Sequence, residues 1–217
     1  YHAPTLFTKV TDQHDEIVFE YDSAPTMAIS EDTATVMNKL LQTVVYGSQG
    51  TGAGARNTIK DMKIYAKTGT SNNSNDLWFV GGSPYYIGSC WCGYDEQQKI
   101  SNAGIARVMW SAVMSKIHTG LEPKEFEVSS YATERYYCTS TGLLATSACP
   151  SKNVGWYKKS NTPGVCTAHA GTALKTPAEI KKAEEEKKAA ESSKAESTAS
   201  SSSSSTSSAS SQTESNR

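Results

Sequence analysis

The sequence predicts an α+β fold, an antiparallel sheet packed with helices, followed by a small cysteine-containing appendage and a polar tail. Three observations carry this. A capped amphipathic segment precedes a Gly-rich loop near residue 50. Three strand-like runs between residues 64 and 95 are joined by links too short for parallel crossovers, so they pair antiparallel. An apolar helical run, Ala103 to Ile117, follows them.

Leu6–Val10 and Glu16–Glu20 read as a hairpin, with the turn between Asp12 and Asp15. Ser30 before Glu31 and Asp32 marks a helix start, a capping hydroxyl followed by acids at the positive end of the dipole. Val36, Leu40, Leu41 and Val44 keep helical spacing, so the helix is expected from Glu31 to Val45, stopping near Gly47. The loop from Gly47 to Ala55 contains Gly-x-Gly. A phosphate loop needs a preceding strand and a following helix, and the order here is reversed. The loop is therefore read as a tight connection onto the strand that follows.

That strand ends in Lys67-Thr68-Gly69-Thr70. Strand side chains alternate, so Lys67 and Gly69 share one face, and Thr68 and Thr70 share the other. Glycine in a strand is costly unless something approaches the backbone closely. From these four residues alone, an edge strand with a solubilising lysine is the favoured reading. The sharper one is a docking strand for an anionic, peptide-like ligand.

Ser71–Asn75 is a polar turn. Asp76–Gly82 and Tyr85–Asp95 are aromatic strands separated by a turn at Pro84. Ile105, Val108, Met109, Ala112, Val113 and Ile117 give the following helix a broad expected inward face, with Gly120 and Pro123 ending it. Residues 124–170 hold Cys138, Cys149 and Cys166 among turn formers. Thr176-Pro177-Ala178-Glu179 is a capping box, after which Lys181 to Lys194 is a charged, solvated helix. Ser192 to Arg217 is Ser-dominated and expected to be disordered. The domain divisions expected are 1–122, 123–170 and 171–217.

Hydrophobic residues make up 37% and charged residues 20%, with a formal net charge of −1. No basic stripe stands out, which argues against nucleic acid as a partner. No apolar run spans a bilayer. The start, Tyr1-His2-Ala3-Pro4, has neither a charged region nor an apolar signal core. The chain reads as a piece of a longer protein, with any membrane anchor upstream.

The ordered set Gly50-Thr51-Gly52-x-x-Ala55, Lys67-Thr68-Gly69-Thr70, Asp76-x-Trp78-Phe79-Val80-Gly81 and Trp91-x-Gly93-Tyr94-Asp95 resembles the C-terminal half of a class A penicillin-binding protein transpeptidase domain. Ser30–Ala34 and the stretch from Tyr1 to Val10 fit the same pattern. Gly142–Thr146 and Pro163-x-x-Cys166-x-x-His169 are similar to the family's C-terminal extension. In this context Lys67-Thr68-Gly69-Thr70 is no longer an ordinary strand end.

The resemblance implies D,D-transpeptidation, with peptidoglycan stem peptides as substrate and β-lactams as inhibitors, on the extracytoplasmic face of the bacterial membrane. A glycosyltransferase domain would lie upstream. It implies catalytic roles for Lys67 and Thr70 and substrate binding by Thr68 and Gly69, with no cofactor and no metal at the site. The family's Ser-x-x-Lys does not occur in this sequence. Ser71-x-Asn73 and Ser151-x-Asn153 match the second motif by letters, but both follow Lys67. The nucleophile is therefore expected upstream, and the fragment alone is expected to be inactive. Two alternatives remain: a β-lactamase-like hydrolase or D,D-carboxypeptidase, and a non-catalytic wall-binding module.

Cys90 and Cys92 are two apart on a strand and are expected as buried free thiols. Among Cys138, Cys149 and Cys166, a Cys149–Cys166 disulfide is the favoured pairing for an exported protein. A zinc site with His169 is the rival. His2, His14 and His118 are read as surface or satisfied core residues.

Overall fold

The computed structural model describes residues 1–22 and 24–201. Two compact units are present among the described residues: Tyr1–Thr133 with Trp156–Thr162, and Glu134–Gly155 with the described residues from Pro163 onward. In the first, β1 (Lys9–Thr11) pairs antiparallel with β2 (Ile17–Glu20) as a short, exposed hairpin. Its turn is held by Asp12, whose Oδ1 accepts from the N–H groups of His14 and Glu16 at 2.7 and 3.0 Å.

Helix α1 spans Glu31–Tyr46 and ends at Gly47, as the capping signals predict. The start differs in detail. Ser30 makes no side-chain cap bond to the backbone; its hydroxyl donates to Asp32. Asp32 Oδ1 instead accepts the Thr33 N–H at 2.7 Å and lies 3.5 Å from Lys158 Nζ. The Ser30 hydroxyl, helped by the Thr33 N–H and Lys158, holds the Asp32 carboxyl below the usual carboxylate range.

Strands β3 (Tyr65–Thr70), β4 (Leu77–Gly82) and β5 (Ile87–Cys92) form a sheet in that order, antiparallel throughout. Helix α1 packs on β3, and α2 (Ile105–Ile117) packs on β4 and β5. The buried face of α2 is Ala106, Trp110 and Met114, not the expected one: Val108, Met109, Val113 and Ile117 are exposed. The helix is apolar nearly all round, so periodicity cannot choose a face. Packing under the sheet does, because Trp110 stacks edge-on against Phe79 with centroids 5.1 Å apart and donates its Nε1–H to the Gly88 carbonyl at 3.0 Å. Gly81 is required there: a Cβ would come within 2.9 Å of Trp110 Cζ2. Val45, Ile64, Ala66, Leu77 and Phe79 belong to the same core, each at most 1% exposed.

His118 is a satisfied core histidine. Its Nδ1–H donates to the Met114 carbonyl and its Nε2 accepts the Ser83 hydroxyl, both at 2.7 Å. The Ser83 oxygen in turn accepts the N–H groups of Tyr85 and Tyr86, which pins the β4–β5 turn. Cys90 and Cys92 are half-buried free thiols against the same core, and burial pushes the Cys90 thiol up.

β6 (Ala132–Cys138) and β7 (Lys152–Lys158) form a two-stranded sheet. In the second unit Leu144 bridges to Tyr137 and Val165. Cys138, Ala145, Cys149 and Cys166 make its buried core. All three cysteines are free, so the expected Cys149–Cys166 disulfide is not formed. Helix α3 (Pro177–Ser201) begins at the expected capping box: the Thr176 N–H donates to Glu179 Oε2 at 2.8 Å, and the Glu179 N–H donates to Thr176 Oγ1 at 3.2 Å. The helix runs past Ser192, where disorder was expected, because Ala, Lys and Glu continue among the serines. Residues 202–217, also expected to be disordered, lie outside the described residues.

Candidate active site

β3 is an edge strand: among the described residues its sheet partner is β4, on one side only. The four predicted residues sit together at its end. Lys67 and Thr70 are exposed, and Thr68 and Gly69 are half-buried. The phase of the ladder follows from two hydrogen bonds. Ser71 N–H donates to the Asp76 carbonyl at 3.0 Å, in line with the Thr70–Leu77 register. Ser83 N–H donates to the Tyr86 carbonyl at 2.8 Å, in line with Gly82–Ile87. Hydrogen-bonded and non-bonded pairs alternate along antiparallel strands. Both bonds give one answer: Lys67 and Gly69 bond across to β4, whereas the N–H and C=O groups of Thr68 and Thr70 point to the open edge.

That edge is shaped by its neighbours. A Cβ on Gly69 would meet Trp78 Cβ at 3.0 Å, which explains the glycine. The Thr51 and Thr68 hydroxyls bond at 2.9 Å, so the Gly-rich loop braces the strand. That loop folds back on α1, with Gly52 N–H donating to the Val44 carbonyl at 2.9 Å, and a Cβ on Gly50 would lie 2.3 Å from the same oxygen. Lys67 Nζ donates to the Thr68 carbonyl at 2.7 Å, which places an exposed ammonium at the strand end.

Asp76 fixes the far end. Ser71 Oγ–H donates to Asp76 Oδ2 at 3.0 Å, and the Asp76 N–H donates back to Ser71 Oγ at 2.8 Å. Trp91 Nε1–H, from β5, donates to Asp76 Oδ1 at 3.1 Å. One carboxylate thus ties the ends of all three strands. Ser71 and Asn73 belong to this turn, where Asn73 and Ser74 have φ of 61° and 58°. The bracing roles of Thr51 and Asp76 are not carried by spacing, since their partners come from other elements. Asp76 opens the Asp76-x-Trp78-Phe79-Val80-Gly81 motif, whose spacing assigns it no role.

A family model described as the penicillin binding protein transpeptidase domain matches residues 1–99. Penicillin-binding protein 1A of Clostridium tetani is 31% identical over 178 residues, covering 77% of this chain and 22% of that protein. The chain belongs to the penicillin-binding protein transpeptidase family. It corresponds to a C-terminal part of the class A members. Penicillin-binding protein 1A of Clostridium acetobutylicum is 32% identical over 145 residues, covering 65% of this chain and 18% of the relative. The chain thus spans about a fifth of the length of these curated relatives. The crystal structure of penicillin-binding protein 1A from Haemophilus influenzae shares the fold, with a TM-score of 0.60 at 20% identity over 80% of this chain and 30% of that one. The α+β arrangement expected from the sequence is therefore that of a penicillin-binding transpeptidase.

Proposed function

We propose that this chain supplies one wall of the acyl-transfer site of a peptidoglycan D,D-transpeptidase. The observation that carries the reading is the open edge of β3. It aligns the outward Thr70 N–H, the Thr68 and Thr70 hydroxyls and the Lys67 ammonium at one strand end. Such an edge can hold an extended peptide as an added strand. A substrate of this shape ends in a carboxylate, and its scissile carbonyl oxygen becomes anionic in the tetrahedral intermediate.

A serine outside this chain attacks the penultimate D-alanine carbonyl. The Ser Oγ–C bond forms, the peptide C–N bond breaks, and terminal D-alanine leaves as the amine with the proton taken from the serine. An amine of a neighbouring stem peptide then displaces the serine. The Thr70 N–H donates to the developing oxyanion, and Thr68 and Thr70 hydroxyls donate to the terminal carboxylate. Lys67 lowers the electrostatic cost of the anionic end. β-Lactams acylate the same serine. The full-length enzyme works on the extracytoplasmic face of the membrane, with a glycosyltransferase domain upstream.

The test is acylation of the full-length protein by a fluorescent penicillin. Labelling is expected, and an unlabelled β-lactam should compete it away. Thr70→Val removes one hydroxyl donor to a charged group and is expected to slow acylation about ten-fold or more, in keeping with roughly 1.5–3 kcal/mol for such a bond. Absence of labelling, or labelling that is indifferent to both the competitor and Thr70→Val, contradicts the reading.

A further inference from the structure

The second unit holds a cluster that the transpeptidase reading does not use. Cys138 Sγ, Cys149 Sγ, Cys166 Sγ and a ring nitrogen of His169 all lie within 4.8 Å of one another. Cys138, Cys149 and Cys166 are buried, at 0%, 2% and 4% exposure. The distances have a definite scale. His169 Nδ1 is 3.6 Å from Cys138 Sγ and 3.4 Å from Cys166 Sγ. In a tetrahedral zinc site with ordinary bond lengths, the ligand atoms lie about 3.6 Å apart for N···S and about 3.8 Å for S···S. The two N···S edges match those of a metal-binding tetrahedron, and the remaining separations, all within 4.8 Å, let a bound ion draw the four ligands together.

A disulfide accounts for it less well. One S–S bond would use two of the three thiols and leave the third cysteine and His169 against it. The surroundings also treat the sulfurs as acceptors, as thiolate ligands require. Thr141 Oγ1–H donates to Cys166 Sγ at 3.5 Å, and the Thr146 N–H donates to Cys149 Sγ at 3.3 Å. Thr146 Oγ1–H donates to the His169 carbonyl at 2.9 Å, fixing the loop that carries the histidine.

The unit also has little else to hold it. Its buried apolar core is Cys138, Ala145, Cys149 and Cys166, with Tyr136, Leu143 and Leu174 packed around them. Before α3 the unit is shorter than the ~40 residues below which a disulfide, a metal or a partner is ordinarily needed for folding. Three of the four core residues are therefore sulfur ligands rather than bulky hydrocarbons.

We infer that Cys138, Cys149, Cys166 and His169 form a structural zinc site that folds the second unit. Four protein ligands close the coordination shell and leave no open position, so the role is structural rather than catalytic. Binding Zn²⁺ converts the three thiols to thiolates and releases their protons to solvent, while His169 binds as neutral imidazole through Nδ1. The inference is independent of the transpeptidase reading, since no cluster residue lies on β3.

The experiment is elemental analysis of the full chain, purified without chelator, followed by exchange of the metal for Co²⁺. One equivalent of zinc is expected. The cobalt protein should show the sulfur-to-cobalt charge-transfer band and the intense visible bands of tetrahedral thiolate coordination. Loss of an outer-shell partner costs roughly 10–100-fold in metal affinity. Thr141→Val should accordingly weaken zinc binding by about ten-fold while leaving the ligands in place, and Cys166→Ser by more than about 100-fold. Cys90→Ser should leave affinity unchanged. A variant that fails to fold is bypassed by alkylating the wild-type chain with and without zinc: Cys138, Cys149 and Cys166 should be protected by the metal. Substoichiometric zinc with no thiolate–cobalt band overturns the inference. So does an intact mass two hydrogens light with a Cys138, Cys149 or Cys166 disulfide in the peptide map.

Discussion

Lys67→Ala in the full-length protein is expected to lower the rate of acylation by a fluorescent penicillin about 10²–10³-fold, the range for loss of one preorganised electrostatic contact to a developing anion. The side chain is exposed and its Nζ is held by the Thr68 carbonyl at 2.7 Å. Swinging from that oxygen to a bound carboxylate costs one hydrogen bond at the surface. For the same reason the fold should not notice the change, because an exposed residue away from caps and buried networks ordinarily alters stability by less than about 0.5 kcal/mol. Denaturant unfolding of the variant should overlay the parent. Lys67→Arg keeps the charge and should retain more activity than Lys67→Ala. Equal labelling of all three proteins removes Lys67 from the site.

Trp110→Ala is expected to have the largest effect on stability, a loss of about 3–5 kcal/mol. Trp110 is 1% exposed, packs edge-on against Phe79 and donates to the Gly88 carbonyl. Removing it opens a cavity directly beneath β4 and β5 and takes away the indole hydrogen bond to that carbonyl. For a chain of this size the midpoint of thermal unfolding should fall by roughly 6–20 °C. Trp110→Phe, which keeps most of the ring volume and loses the hydrogen bond, should cost much less. The β3 edge rests on this core through Ala66 and Phe79, so acylation by penicillin should fall with the folded fraction in Trp110→Ala and persist in Trp110→Phe. A small change in the midpoint for Trp110→Ala would mean that α2 does not hold the sheet as described.

Local signals were readable where the chemistry is local. Ser30 with Glu31 and Asp32, and Gly47 at the other end, bound α1 almost to the residue. The capping box at Thr176 and Glu179 is present as two reciprocal hydrogen bonds. Short links between Thr70, Leu77, Gly82 and Ile87 forced antiparallel pairing, and the register follows from the turns. The position of Lys67-Thr68-Gly69-Thr70 at the end of a strand was likewise legible, but the openness of that strand was not. Whether a strand lies at an edge depends on what else pairs with it, and no pattern within the strand states that.

The misses share a cause. Helix α2 is apolar on nearly every face, so its inward side was decided by Trp110 fitting beneath Gly81 and Gly88, two glycines on other strands. Asp76 became a hub only because Trp91 comes back beside it on β5. The cysteine cluster joins positions 138 and 169, which only the fold of the appendage brings together. Spacing alone does not separate such a cluster from the disulfide expected of an exported protein. In each case the deciding contact is between elements, beyond what propensity and spacing encode.

The most direct measurement is a crystal structure of the full-length protein acylated by a β-lactam. The acyl carbonyl oxygen is expected about 3 Å from the Thr70 N–H, and the drug carboxylate at similar distance from the Thr68 and Thr70 hydroxyls, with the adduct lying along the outer edge of β3. An acyl group bound away from that edge, with the Thr70 N–H turned to solvent, would contradict it.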